Sequence, residues 1–338
     1  MQQLAGKCGA AVALDPRTGA VLTMASRPTY NPNLVESNFG AISHIQSGCA
    51  AAAPLLNRAT DGLFTPGSSF KVVTATAALD SGHYTIDSRF DDKGYCIEYG
   101  KQVHNFADQG NVERFGSVDF LQALEHSINA VFCDIGKALG ARSVLNAAKR
   151  YGFYKDPPLE TPSNERSPSG LYFHGKLYDP TDPATQVDPG RLAFGQERML
   201  ATPLQMAMVA AGVANSGVVM RPYSVARVTA PDGSLVAKTK PHKYKRAMKT
   251  STAHALNQMM QAVVTGGPGV KVAGKTGTAE TGGAGTLNTT WFIAFAPADH
   301  PTVAVAVVLQ NQTGAGGTTA APIAKAIMEA LLPGRSNP

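Results

Sequence analysis

Thr65-Pro66-Gly67-Ser68-Ser69-Phe70-Lys71 is the stretch on which the reading of this chain turns. Pro66-Gly67 makes a tight turn. From Ser68 onward apolar residues recur at helical spacing through Phe70, Val73 and Ala77, Leu79 ends the pattern and Gly82 stops it. The spacing predicts a helix whose first turn carries Ser68, where free backbone N–H groups and the positive dipole end favour developing negative charge. Residues three apart share a helix face, with Cβ atoms roughly 5–6 Å apart, so the Lys71 amine comes within reach of the Ser68 hydroxyl. A serine hydroxyl is a weak nucleophile until an adjacent base takes its proton. Lysine can be that base if burial and nearby cations lower its pKa from about 10.4.

Two further motifs follow in order. Ser127-Ile128-Asn129 sits between an apolar-periodic segment at 120–126 and a helical run at 130–139, so a turn between two helices presents Ser127 and Asn129 on one side. A second hydroxyl beside Lys71 can relay a proton to a leaving group, and an amide can hold the substrate's amide or the lysine. Lys275-Thr276-Gly277-Thr278 closes a strand whose glycines mark close approach of a backbone or ligand. If that strand is an edge, it offers unpaired N–H and C=O groups to an extended peptide. The Thr278 N–H can join the Ser68 N–H as an oxyanion hole, while Lys275, Thr276 and Thr278 grip a carboxylate. Each motif alone has a bland reading: a solvated helix lysine, an N-cap serine, a lysine that blunts an edge strand. Three together, in order, do not.

This set resembles the transpeptidase domain of penicillin-binding proteins, and the resemblance spans nearly the whole chain. Asn57-Arg58-Ala59, Gly195-Gln196, Ala201-Thr202-Pro203-Leu204-Gln205 and Ala214-Asn215-Ser216-Gly217 resemble that family, as do Trp291-Phe292-Ile293-Ala294-Phe295 and Ala321-Pro322-Ile323-Ala324. Within it the pattern is nearest the class B type and the penicillin-binding protein A group of high-GC Gram-positive bacteria. Two positions depart from the family pattern: Ile128 stands where many relatives have serine, and Glu197 where glycine is usual. Ile128 is expected to point away from the nucleophile.

The resemblance implies a peptidoglycan D,D-transpeptidase that cross-links stem peptides through a Ser68 acyl-enzyme, binds β-lactams covalently and needs no cofactor. It also implies a single-pass membrane anchor and a non-catalytic domain ahead of the start, placement outside the cytoplasmic membrane, and a cell-wall glycosyltransferase partner. Alternatives on the same fold are a D,D-carboxypeptidase, a β-lactamase and a sensor that acylates without turnover. Glu160-Thr161-Pro162-Ser163-Asn164 superficially matches a β-lactamase Glu-x-x-x-Asn loop, but its Pro-rich setting reads as surface.

The fold class expected is α+β, of the penicillin-binding/β-lactamase-like type. An antiparallel sheet built from both chain ends (1–70 and 218–338) is flanked by helices, and a mainly helical lobe (71–217) is inserted. Strands are expected over 10–14 and 20–25, then as a meander at 270–278, 290–296 and 303–309. The interval 155–190, dense in Pro, Ser, Asp and Gly, reads as a long excursion over the site. The span 82–118 reads as irregular. At 338 residues and 43% hydrophobic content the chain can bury a large core. Its net charge of +6 suits anionic envelope polymers or lipid headgroups, though charge alone does not separate these from nucleic acid. The densest basic stretch (Lys238, Lys240, Lys243, Lys245, Arg246, Lys249) lacks interleaved aromatics except Tyr244. It reads as a solvated loop entering a helix, and no nucleic-acid partner is expected. Cys8, Cys49, Cys96 and Cys133 allow one or two disulfides in three full pairings that spacing does not choose between. Cys133, inside a helical apolar pattern, reads as a buried thiol. Without Cys-x-x-Cys or paired-His spacing, no metal site is expected.

Overall fold

Strands Cys8–Leu14 (β1) and Val21–Arg27 (β2) pair antiparallel across a tight turn in which the Gly19 amide donates to the Asp15 carbonyl. Three strands from the far end of the chain complete the sheet: Ala273–Glu280 (β3), Asn288–Ala296 (β4) and Val303–Gln312 (β5). The order is β3-β4-β5-β1-β2, antiparallel throughout, which leaves β3 at an edge. The computed structural model describes residues 2–47, 49, 52–108, 111–264, 270–280 and 287–332. Gln109 and Gly110, which fall within the span read above as irregular, lie outside the described residues.

Seven helices matter to the site: α1 (Lys71–Ser81), α2 (Phe120–Glu125), α3 (Asn129–Leu139), α4 (Ala141–Tyr151), α5 (Pro203–Ala214), α6 (Thr250–Val263) and α7 (Ala321–Leu331). The sheet is covered on both faces. Ala11, Ala13, Phe292, Ala294, Val305 and Val307 pack with Ile323, Ala324 and Met328 of α7. Their strand neighbours Val12, Trp291, Ile293 and Ala306 point the other way, into the core that α5 and α6 share. Period-two alternation therefore feeds two cores, so β1, β4 and β5 read as continuous apolar runs despite antiparallel pairing. Helix α5 begins at a Thr202 cap that accepts from the Gln205 amide at 3.1 Å, with Pro203 in its first turn. It is buried on all sides.

Several expectations change. The span 82–118 holds three two-stranded ladders: Arg89–Asp92 with Gly116–Asp119, Tyr95–Glu98 with Lys101–His104, and Ala107–Asp108 with Asn111–Val112. Their strands are too short to show a period. Cys133 is not a thiol: it is bonded to Cys96, and Cys8 to Cys49, so an apolar helix position here holds half of a cross-link. Within the basic stretch, Lys243–Arg246 is a strand paired with Val218–Met220. Alternation lets Tyr244 pack on the core, while the Lys245 amine reaches the Lys149 carbonyl at 2.9 Å. The 155–190 interval is tied to the body of the fold. Thr60 Oγ1 donates to the Glu165 carbonyl, Ser167 Oγ donates to Asp61, and Gly170–Phe173 pairs with Met199–Leu200. No helix among the described residues is long and apolar enough to cross a membrane.

Candidate active site

Gly67 takes φ +51°, and the Ser69 amide donates to the Pro66 carbonyl at 3.3 Å, closing a 3₁₀ turn over Gly67–Phe70. The α-helix begins only at Lys71, so Ser68 precedes it instead of lying in its first turn. The Lys71 amide donates to the Ser68 carbonyl, and residues i and i+3 eclipse in a 3₁₀ turn, so Lys71 and Ser68 remain on one side of it. Edge strand β3 runs directly against this turn. A Cβ on Gly277 would fall 2.8 Å from the Pro66 carbonyl oxygen, and one on Gly67 would fall 3.0 Å from the Thr278 carbonyl oxygen. Glycine at both positions lets the Thr278 backbone approach the nucleophile turn.

The second motif closes α2. Asp119 accepts from the Gln122 amide while the Gln122 side chain accepts from the Asp119 amide, a capping box that fixes the start of this short helix. Ser127 follows its end with φ +58°, a conformation that costs a non-glycine residue on the order of 1 kcal/mol. Ile128 is buried in the core, as expected for a side chain turned away from the site.

These elements bring the polar groups together. The fully buried Lys71 amine contacts the Ser127 carbonyl, Asn129 Oδ1 at 2.7 Å and Ser127 Oγ at 3.3 Å. Lys275, also fully buried, donates to the same Ser127 hydroxyl at 2.9 Å and to Thr276 Oγ1 at 3.4 Å. Burial, and then the charge of Lys275, push the Lys71 amine well below the ordinary lysine range. Burial alone brings Lys275 down to about 7. Thus Lys71, Ser127, Asn129, Lys275 and Thr276 form one hydrogen-bonded cluster, while Ser68, Gly277 and Thr278 join it through the packing of β3 on the turn.

The sequence reading missed two supports of this packing. Trp291, the single tryptophan, is fully buried and donates its ring N–H to the Thr65 carbonyl at 2.9 Å, holding the entry to the nucleophile turn. The Gly316 amide donates to Thr278 Oγ1 at 3.2 Å. A lone tryptophan in a strand was the available signal for the first; a glycine 38 residues away gave none for the second. Glu197 occupies φ +50°, the region that favours glycine, and its carboxylate binds Arg198 at 2.5 Å. Glu160 is exposed and taken up by the Ser224 amide (3.0 Å) and hydroxyl (3.2 Å). Among the described residues one group could bring three metal-ligand atoms within 4.8 Å, Cys96, Glu98 and Cys133, but both sulfurs are consumed by the disulfide.

A five-stranded antiparallel sheet whose edge strand faces a Ser-x-x-Lys turn, with Ser-x-Asn between two helices, defines the penicillin-interacting class of fold. The chain belongs to the penicillin-binding protein transpeptidase domain family, whose model matches residues 9–329. It is 34% identical to the peptidoglycan D,D-transpeptidase PbpA of Mycobacterium tuberculosis, over 97% of this chain and 68% of that protein. It is 30% identical to the peptidoglycan D,D-transpeptidase MrdA of Acinetobacter baumannii, over 100% of this chain and 52% of that protein. Among solved structures it resembles the ceftriaxone acyl-enzyme of M. tuberculosis penicillin-binding protein A. There the TM-score is 0.84 and the identity 34%, covering 96% of this chain and 74% of that one. The penicillin G acyl-enzyme of the same protein gives 0.82 and 33%, covering 97% and 76%.

Proposed function

We propose that this chain is a serine-type peptidoglycan D,D-transpeptidase that works through a Ser68 acyl-enzyme and is inhibited by covalent β-lactam binding. The observation that carries the reading is the convergence of Lys71 and Lys275 on one hydroxyl, Ser127 Oγ. A neutral Lys71 gives its two N–H groups to the Ser127 carbonyl and Asn129 Oδ1, which leaves its lone pair for a hydroxyl proton. Ser68 Oγ attacks the carbonyl of a terminal D-Ala-D-Ala as its proton passes to Lys71. The Ser68 and Thr278 amides hold the oxyanion. The proton then travels by way of Ser127 to the departing D-Ala amine. An amine of a second stem peptide attacks the ester, and Ser68 recovers its proton. Lys275, Thr276 and Thr278 hold the terminal carboxylate, and Gly277 keeps the strand edge open to the peptide. β-Lactams carry a carboxylate and an acylating carbonyl in the same relation.

The proposal places the substrate between a sheet lobe (1–70 and 218–338) and a helical lobe (71–217). It also places the protein in the cell envelope, anchored by a single-pass segment outside the cytoplasmic membrane and working with a cell-wall glycosyltransferase. The engagement of Glu160 by Ser224 argues against the β-lactamase alternative, which needs a free carboxylate near the ester. Intact mass followed over time after mixing with a penicillin tests the reading. The expected result is one adduct, at Ser68, that persists for minutes to hours and is absent in Ser68→Ala. Clearance within seconds with consumption of excess penicillin would make the protein a β-lactamase. Pentapeptide donor with an amine acceptor should give a cross-linked product; release of D-Ala alone would make it a carboxypeptidase, and no turnover of either peptide a sensor.

A further inference from the structure

The Asn129 amide is oriented, through an exposed contact, by a segment that a buried polar network outside the three motifs holds in place. Its Nδ2 donates to the His104 carbonyl at 3.1 Å, which turns Oδ1 toward the Lys71 amine. The next residue, Asn105, is 5% exposed, and its Oδ1 accepts from the Ala130 amide at 2.9 Å in the first turn of α3. That amide is one of the donors a helix start leaves without an internal partner. Asn105 Nδ2 donates to both oxygens of Asp92 (3.0 and 2.9 Å) and to the Glu113 carbonyl (3.1 Å). Asp92, 3% exposed, also accepts from the Gly94 and Phe115 amides, each at 2.9 Å. Two-stranded ladders as short as those over 89–119 do not hold themselves in water, and this carboxylate ties Gly94, Asn105 and Phe115 together beside the Cys96–Cys133 cross-link. A buried carboxylate fed by four N–H contacts is strongly fixed, and losing one partner strands the rest.

We propose that Asp92 and Asn105 are positioning residues of the reaction. They lock the segment at 104–105 against the start of α3, and so set the Asn129 amide, and through it the Lys71 amine, in place for proton transfer. The inference rests on the transpeptidase reading, but its test is separate: labelling of wild type at Ser68 tests that reading, and this proposal is read from variant rates relative to wild type.

Asn105→Asp sets two carboxylates against each other. Acylation by a fluorescent penicillin is measured under saturating conditions across pH, with the melting temperature recorded beside it. Asn105→Asp is expected to lower the saturating rate about 10- to 100-fold with little change in half-saturation. Without Asn129 Oδ1 the Lys71 ammonium loses an acceptor and its pKa falls further, so the acid limb of the profile moves to lower pH. A limb that stays at the wild-type pH in Asn105→Asp overturns the proposal. Asn105→Ala covers failure of the Asp variant to fold: a normal rate and limb there overturn it as well.

Discussion

Two pairs of like-charged groups are buried near opposite stretches of helix α3. At its start, Lys71 and Lys275 share the Ser127 hydroxyl beside Asn129. Near its middle, Glu98 is hydrogen-bonded to Asp188 alongside the Cys96–Cys133 disulfide. In both, burial is the larger cause of the displaced pKa and the like charge the smaller: the Lys71 amine is driven down, and Glu98 is pushed up to about 7. What differs is the surroundings. The acidic pair is rimmed by cations, with Lys137 at 3.9 Å from Glu98 and Arg191 at 3.4 Å from Asp188. The pair lines a cavity of about 340 Å³ with Tyr99, Lys101, Thr185 and Glu197, and no Ser-x-x-Lys turn adjoins it. The lysines meet hydroxyl, amide and carbonyl oxygens one turn from a serine at the edge of a sheet. A displaced pKa points to acyl transfer when a nucleophilic turn and a proton relay adjoin it, as they do at the lysines.

The comparison breaks most readily at Lys71. Lys71→Ala is expected to slow acylation of Ser68 by about 10²–10⁴-fold, the range for loss of general acid–base catalysis, whereas Glu98→Gln leaves acylation unchanged. Equal rates for Lys71→Ala and wild type would remove Lys71 as the base. Smaller, at roughly 10- to 100-fold, is the effect expected of Thr276→Val and Thr278→Val on β-lactams with a free carboxylate. Esters of the same compounds should lose less. Equal losses for acid and ester would give these hydroxyls a structural role only.

How much of this could be read from the chain follows from the range of each interaction. The Ser68–Lys71 relation is local, so spacing revealed it even though the turn is 3₁₀ and not α. The strands at 8–14 and 303–312 were legible because their side chains are apolar, but that they are neighbours rests on pairings about 300 residues apart. For the same reason the set of motifs identified Lys275, while a lone strand tryptophan was the one signal for Trp291 and Gly316 carried none. The ladders over 89–119 were missed because strands of two to four residues show no period. Asp92, which joins Gly94, Asn105 and Phe115 among them, looks like any turn aspartate in sequence. Cys133 misled because an apolar helix face accepts a disulfide sulfur as readily as a thiol.

The like-charge contribution itself can be sharpened through Lys275. Lys275→Ala removes the cation that helps hold the Lys71 amine down, so the Lys71 pKa rises. Acylation needs the neutral amine, and the acid limb of its pH profile should therefore move to higher pH, in addition to any loss of carboxylate binding. Desolvation is the larger cause, so the limb should stay below the ordinary lysine value of 10.5. A limb that moves down, or does not move, would mean that Lys275 is neutral in the resting site and exerts no field on Lys71.

The smallest effect belongs to the acidic pair, and it appears in stability, not rate. Glu98 has a folded-state pKa of about 7 against an ordinary 4.5, so between these values the folded protein binds more protons than the unfolded chain. The stability linked to that proton is fully present below about 4.5 and is lost as pH rises through 7. Glu98→Gln replaces a shared proton with a permanent amide donor toward Asp188, so it should flatten this fall. Above pH 7 its melting temperature should exceed that of wild type by about a degree or two, the size of shift that ~1 kcal/mol gives in a chain of this length. Melting curves for the two proteins at pH 5 and pH 8 make the check. The difference between them should grow with pH, and a constant difference would mean that Glu98 and Asp188 do not share a proton. Acylation rates in the same samples should be equal at both pH values once the Lys71 limb common to both proteins is divided out, because the pair touches no part of the lysine cluster.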